Sequence, residues 1–315
     1  VPRPEVTRRV GAAPPQPTPF KAAAVALSAS MPPCEAFRRI ALSCLEHLQQ
    51  NHHGALTSDD PEYIHQMRVA TRRLRAALRL FAPVLPDGLA DALHLPLAAM
   101  MTQLGHARDL DVLLSEIVSP VLTALPNEPR LPALASDITN RRYAAREEAL
   151  ALLAAPDYGR TLLAALESLH PEPEAACDEI PLQSFATERL RRLRKKLLRL
   201  AAAARLEQPA TLHALRIGVK RLRYALEFFA PLARERAFAP ALQRLVAIQD
   251  TLGQLNDLAN AGALLMDCAG DDPRLREAVT LIGGWHGPRY AALLESITPE
   301  LGRLARLQLP PLAAG

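Results

Sequence analysis

The chain has 315 residues, of which 49% are hydrophobic and only 4% aromatic, and it carries 37 Lys and Arg against 33 Asp and Glu. This composition supplies enough apolar surface for a folded core and excludes a disordered chain. Most of the apolar residues are Ala and Leu, which favour helices over the pleated surface of a β-sheet. We therefore expect an all-α protein.

Neither a membrane partner nor a metal or cofactor is expected. No apolar run approaches the roughly 20 residues that a transmembrane helix requires. The cysteines stand singly and give neither a zinc-ligand pattern nor a disulfide framework. A cytoplasmic location fits this pattern best. The four cysteines are Cys34, Cys44, Cys177 and Cys268.

The chain begins with a segment that differs from the rest. Residues 1–33 carry eight of the 28 prolines and show no sustained helical period, which is typical of a linker or an N-terminal extension. From residue 34 onward the sequence predicts amphipathic helices with short breaks, up to a tail at 307–315. The predicted helices span 35–51, 63–82, 87–105, 109–124, 131–154 and 159–169, and then 183–206, 210–230, 237–254, 257–269 and 273–296.

The two sets of helices share an internal repeat. A shift of 148 residues places the segment 65–75 (HQMRVATRRLR) over 213–223 (HALRIGVKRLR), and the match continues without gaps for more than 70 residues. We therefore expect two tandem four-helix bundles related by a pseudo-two-fold axis. The expected domain spans 34–306, with repeats at about 34–170 and 182–306.

The repeated helices have basic faces. At 100° per residue, their basic side chains share one arc, and apolar residues such as Leu74 and Phe81 fill the opposite face. Like charges at this spacing destabilise a helix by a few tenths of a kcal/mol per pair, so the faces need a counter-charge or a ligand. The basic sets are His65, Arg68, Arg72, Arg75 and Arg79 on the first helix, and His213, Arg216, Lys220 and Arg223 on its repeat.

A third basic face lies on helix 183–206. Guanidinium groups at one-turn spacing suit successive phosphates, so a polyanion is the expected ligand of these faces. The alternative is neutralisation by Asp109, Asp111 and Asp257 from neighbouring helices. The basic residues of this third face are Arg189, Arg192, Lys195, Lys196 and Arg199.

Two motifs are repeated in this sequence. The first is His-x-x-Arg-x-x-x-(Arg/Lys)-Arg-x-Arg, at 65–75 and 213–223. The second is Leu-Gly-x-x-Arg-Asp at 104–109, which recurs as Leu-Gly-x-x-Asn-Asp at 252–257. Both resemble motifs of the CHAD domain, the conserved histidine α-helical domain. The resemblance implies a basic surface or channel, binding of inorganic polyphosphate and, in many members, targeting to polyphosphate granules. By position, it implies anion-binding roles for His65, Arg68, Arg72, Arg73, Arg75, Arg79, His213, Arg216, Lys220, Arg221 and Arg223.

Two departures from the motif predict a weaker second half, since Glu227 stands where Arg79 would repeat and Asn256 where Arg108 would repeat. Related proteins often carry an N-terminal CYTH domain, whose Glu-x-Glu-x-Lys motif is absent from this sequence. The Pro-rich start would be the joint to such a domain.

Non-enzymatic polyphosphate binding is the leading hypothesis, and three alternatives stay open. A metal-dependent phosphohydrolase or phosphotransferase would use His65 or His213, but it needs carboxylates near the substrate. Nucleic-acid binding is less favoured, because base stacking uses aromatic residues and Tyr224 is the one aromatic in the basic arcs. The third alternative is a structural helical adaptor.

Overall fold

The computed structural model describes residues 18–169 and 180–312. Within these ranges the chain is helical and contains no β-strand, which confirms the all-α prediction. The first 17 residues of the expected linker, most of the gap at 170–181 and the end of the tail lie outside the described residues. The helices are α1 Pro33–Thr57, α2 Pro61–Phe81, α3 Leu89–Val112, α4 Ser119–Ala124, α5 Arg130–Ala154, α6 Pro156–Ser168, α7 Leu182–Ala203, α8 Pro209–Phe229, α9 Ala239–Ala269 and α10 Pro273–Ala305.

Two breaks predicted next to the Leu-Gly elements do not exist. A π-helical turn, Leu113–Val118, joins α3 directly to α4, and α9 runs unbroken past Gly253. The prediction was wrong because a glycine inside a helix costs only about 1 kcal/mol, which burial of the adjacent leucines offsets. Leu104 and Leu252 are both buried in the core.

The repeat found in the sequence has a counterpart in local structure. Helix α2 begins at Pro61 and ends at Phe81, and α8 begins at Pro209 and ends at Phe229, so their ends match at the 148-residue shift. A short 3₁₀ turn follows each helix. Proline suits the first helical turn, where its missing N–H is not needed for a helical hydrogen bond.

The helices of each half pack as a group of four. Helices α1, α2, α3 and α5 contact one another in the first half, and α7 to α10 do so in the second. Contacts between the halves include equivalent pairs, namely α1 with α7, α2 with α8 and α5 with α10. A pseudo-two-fold arrangement predicts such pairs.

The apolar core does not follow the boundary between the repeats. One buried cluster contains Leu74 of α2 together with Leu222 of α8, and the other contains Leu104 of α3 together with Ile282 of α10. Since each cluster takes residues from both halves, the two repeats share their cores. Packing therefore fixes the position of α2 relative to α8, which carry the two copies of the basic motif.

Residues 18–32, which the sequence assigns to the linker, pack against the helices. The backbone N–H of Phe20 donates to Oδ1 of Asn51 at 3.0 Å, and Nδ2 of Asn51 donates to the Phe20 carbonyl at 3.1 Å. The backbone N–H of Leu182 donates to the Met31 carbonyl at 2.9 Å. The packed part of the chain thus begins well before the expected boundary at residue 34.

The described cysteines differ in their bonding state. Cys44 and Cys268 are free and buried, but Cys34 is disulfide-bonded, so the prediction of no disulfide is wrong. Sequence spacing misses such pairing because it depends on tertiary proximity. Within the described residues no single helix is long and apolar enough to cross a bilayer. Helices α5 and α6 together have sufficient length and apolar composition, but they are bent by 57° relative to each other.

Candidate functional site

Two adjoining cavities lie where α2 meets α8, and Arg72 and Lys220, which are equivalent positions of the repeat, line both of them. We call the first the cationic cavity and the second the mixed-charge cavity. Since they share these two residues, they form one groove. The cationic cavity, about 490 Å³, is lined by the basic residues Arg72, Arg75, Arg79, Arg189, Arg192, Lys196, Lys220 and Arg221. The mixed-charge cavity, about 830 Å³, is lined by the polar residues His65, Arg68, Arg72, Arg108, Asp109, Arg216, Lys220, Asn256, Asp257, Asn260 and Asp267.

The cationic cavity collects basic side chains from α2, α7 and α8. Each helix buries the face opposite to these side chains, for example Leu74 on α2, Leu197 on α7 and Leu222 on α8, so core packing directs the basic faces toward one another. Among the described residues no carboxylate lines this cavity. Arg192 pairs with Glu188, which lies outside the cavity, and no ion pair to a described carboxylate neutralises the other basic residues of its walls.

Burial among these positive charges affects the pKa of Lys220. Burial, together with the positive charges of the nearby Arg216 and Arg72, lowers its pKa to about 8. Burial is also the main cause of the lowered pKa of Arg75 and Arg189. A bound anion would reverse these effects, because an opposite charge favours the protonated form.

Several guanidinium groups of the groove have unused hydrogen-bond donors. Their Nε atoms are buried and have no hydrogen-bond partner within residues 18–169 and 180–312. Buried donors without a protein partner are uncommon in folded proteins, so these Nε–H groups are free to donate to a ligand. The groove residues concerned are Arg72, Arg75, Arg189, Arg216 and Arg221.

The Leu-Gly-x-x-Arg-Asp element of α3 builds one wall of the mixed-charge cavity. A Cβ atom on Gly105 would lie 2.7 Å from Nη1 of Arg68, so glycine makes room for this guanidinium group. Nη1 of Arg68 donates to the Met101 carbonyl at 3.5 Å, and its Nη2 lies 3.8 Å from Oδ1 of Asp109. Arg108 lines the same cavity. The element therefore holds a cation and a carboxylate side by side.

Arg108 and Asp109 are site residues that the sequence-based set of binding residues missed. The signal for them was present, because the Leu-Gly elements recur at the 148-residue shift. The shift also makes Asp109 equivalent to Asp257, and both line the mixed-charge cavity. Burial raises the pKa of Asp109, the negative charge of Asp257 raises it further, and Arg68 opposes both effects.

Some of the predicted anion-binding residues have a carboxylate partner. Arg192 pairs with Glu188 within α7. Arg73 and Arg223 both pair with Glu227 at 3.0 Å, and the pair with Arg73 joins α2 to α8. Arg73 also lies over the ring of Phe228, with its guanidinium carbon 5.0 Å from the ring centroid. Glu227, which departs from the motif, thus compensates two arginines of the motif.

Three further predicted residues line neither of the two cavities. Lys195 and Arg199 are exposed on α7. His213 borders a smaller neighbouring cavity, where its Nδ1 lies 3.2 Å from Oδ1 of Asn256. The remaining members of the predicted set line one or both parts of the groove.

Together, the fold and the groove define an all-α protein whose related halves share one basic groove. The family model of the CHAD domain matches residues 39–266, and the chain belongs to this family. The CHAD domain from the plant Ricinus communis has a crystal structure that matches with a TM-score of 0.79 and 36% identity, over 94% of this chain and 99% of that chain.

A second solved structure shows the fold at greater sequence distance. PptA from Streptomyces chartreusis matches with a TM-score of 0.65 and 15% identity, over 88% of this chain and 100% of that chain. At this identity the likeness concerns the fold alone. Comparison with curated proteins gave no match.

Proposed function

We propose that this protein binds inorganic polyphosphate in the groove between α2, α7 and α8, without turning it over. The observation that carries the proposal is the cationic cavity, where eight Arg and Lys side chains converge and no carboxylate from the described residues intervenes. Charge-assisted hydrogen bonds from guanidinium groups to phosphate are among the strong interactions in proteins. Polyphosphate offers such acceptors at every unit of its chain.

The character of the lining favours binding over catalysis. Arginine stays charged at all working pH values, so these side chains attract product as well as substrate, and uniform binding does not accelerate a reaction. Within the described residues no group of three or more His, Cys, Asp or Glu is placed to hold a metal ion. Burial lowers the pKa of His65, and its Arg neighbours lower it further.

The lining also favours a thin chain over nucleic acid. Among the residues that the structure describes, Tyr224 is the one aromatic residue that lines the cationic cavity, and its side chain is largely buried. Stacking on exposed aromatic rings is what holds single-stranded bases. A chain of phosphates without bases needs no such rings.

A titration of long polyphosphate tests the proposal. The variant Arg189→Ala/Arg192→Ala/Lys196→Ala removes the α7 wall and is expected to weaken binding about a hundredfold, the sum of several charge-assisted bonds. Alanine preserves the helix. The control Arg160→Ala/Arg276→Ala/Arg303→Ala removes the same charge from exposed sites outside the groove. Equal affinities of the two variants would refute the groove as the binding site.

A further inference from the structure

The two ends of the groove differ in chemistry. The cationic cavity offers donors alone among its charged groups, whereas the mixed-charge cavity adds the carboxylates Asp109 and Asp257 to its Arg residues. These two aspartates come from equivalent positions of the repeat, and the negative charge of Asp257 raises the pKa of Asp109. A ligand group at this end must therefore satisfy cations and carboxylates together.

The units of linear polyphosphate differ in the same way. An internal phosphate has one strongly acidic group, which is fully ionised and accepts hydrogen bonds only. A terminal phosphate keeps a second ionisation at a pKa of about 6, as in phosphate monoesters, so near neutral pH it still carries a P–OH in part of the molecules. The chain end is thus the one unit that can donate a hydrogen bond to a carboxylate.

We propose that the mixed-charge cavity is a chain-end subsite, in which Asp109 and Asp257 hold the terminal phosphate of linear polyphosphate. Internal phosphates then pass Arg72 and Lys220 into the cationic cavity. This inference rests on the proposed function and assigns one end of the bound chain to a defined place in the groove.

The partners of the aspartates support this assignment. Within the described part of the chain, Asp109 has one long ion pair, 3.8 Å to Arg68, and Asp257 accepts one long bond, 3.4 Å from Nδ2 of Asn256. Both retain capacity to accept further hydrogen bonds. Arg68, Arg108 and Arg216 stand beside them, and the buried Nε of Arg216 has no partner within the described ranges. These cations would bind the ionised oxygens of the same phosphate.

The remaining charged groups of the mixed-charge cavity allow one proton to be shared between Asp109 and the terminal phosphate. His65 and Arg72 of α2, Lys220 of α8 and Asp267 of α9 complete its charged lining. Burial and Asp257 raise the pKa of Asp109, and Arg68 opposes them. The P–OH of the terminal phosphate can donate to the carboxylate of Asp109, so that one proton bridges the two groups. An internal phosphate brings no proton and meets two carboxylates, which disfavours it.

The test compares two ligands on two proteins. The ligands are a short linear polyphosphate and the same chain with both terminal phosphates esterified, and the proteins are the wild type and Asp109→Asn/Asp257→Asn. The wild type is expected to bind the free-ended chain about tenfold more tightly, and the double variant to bind both chains equally. The single variant Asp257→Asn gives an intermediate ratio, and thermal unfolding confirms that each variant folds.

Two results would overturn the inference. If the carboxylates merely repel anions, the double variant binds both chains more tightly and keeps their ratio. If the wild type does not distinguish the two chains, no end is recognised. Binding of long polyphosphate, which has few ends, is measured on both proteins to distinguish a failure of the chain-end inference from a failure of the proposed function. Long chains that bind both proteins leave the proposed function intact, whereas long chains that bind neither refute both proposals.

Discussion

At the scale of single residues, Lys220 is the group whose charge depends most directly on occupancy of the groove. It lies among arginines, and burial lowers its pKa to about 8. A phosphate beside it favours the ammonium form, so the bound protein holds more protons on this residue than the free protein does. The proposed binding of polyphosphate would therefore be coupled to proton uptake near pH 8.

This coupling predicts a pH dependence of binding. Affinity for long polyphosphate is expected to be full below about pH 8 and to fall as the pH rises above it, because free Lys220 then loses its proton. Titration calorimetry in buffers of different ionisation enthalpy measures the proton uptake. The variant Lys220→Arg stays charged, so its affinity should stay level over the same range. A fall of equal size in this variant would assign the effect to another group.

The carboxylate of Glu227 gives a second prediction, on stability. Replacing Glu227 by Gln leaves Arg73, whose side chain is only 13% exposed, and Arg223 without their counter-charge. We expect a loss of about 2 kcal/mol of unfolding free energy, since a half-buried charge without a partner is costly. The matched control is Glu235→Gln, at a side chain that is 91% exposed. Chemical denaturation measures both, and equal stabilities would show that the ion pair contributes nothing.

Much of the candidate site could be predicted at this scale. Helical periodicity placed Arg68, Arg72 and Arg75 on one face of α2, and the structure puts them in the groove. Arg223, on the basic face of α8, pairs with Glu227 one turn away in the same helix, a contact that the i, i+4 spacing alone could have predicted. The pair of Arg73 with Glu227 could not be predicted, because it depends on the packing of α2 against α8 across a separation of 154 residues.

At the scale of elements, the two Leu-Gly elements have the same sequence motif but different packing around the glycine. Gly105 of α3 lies against the guanidinium group of Arg68, whereas a Cβ on Gly253 of α9 would meet nothing within 4 Å. Sequence alone reads both glycines as helix breaks. In the structure both helices continue through their glycine. Gly105 is needed because the guanidinium group of Arg68 lies close to it, whereas no such contact requires Gly253.

The pair of glycines gives a prediction with its own control. Gly253→Ala is expected to stabilise the protein by about 1 kcal/mol through helix propensity and to leave binding unchanged. Gly105→Ala gains the same propensity but displaces the guanidinium end of Arg68, so it should weaken binding of short free-ended polyphosphate several-fold. Thermal unfolding and titration separate the two effects. Equal binding by both variants would show that Arg68 does not take part in the site.

At the scale of the whole molecule, the repeat accounts for the position of the groove. Arg72 and Lys220 are equivalent residues that line both cavities, and Asp109 and Asp257 are equivalent residues that line one of them. The asymmetry comes from α7, whose Arg189, a wall of the cationic cavity, stands where α1 has the buried Ala41. The sequence predicted the repeat and this asymmetry, but not that both halves share their apolar cores.

The salt dependence of polyphosphate binding tests the central claim most directly. For nucleic acids, the slope of log affinity against log salt is about 0.7 to 0.9 per neutralised phosphate, so the groove predicts a steep slope for the wild type. The variant Arg72→Ala/Lys220→Ala removes the two residues common to both cavities and should lower the slope by about one to two. A wild-type slope near zero, or an equal slope in a folded double variant, would contradict binding in this groove.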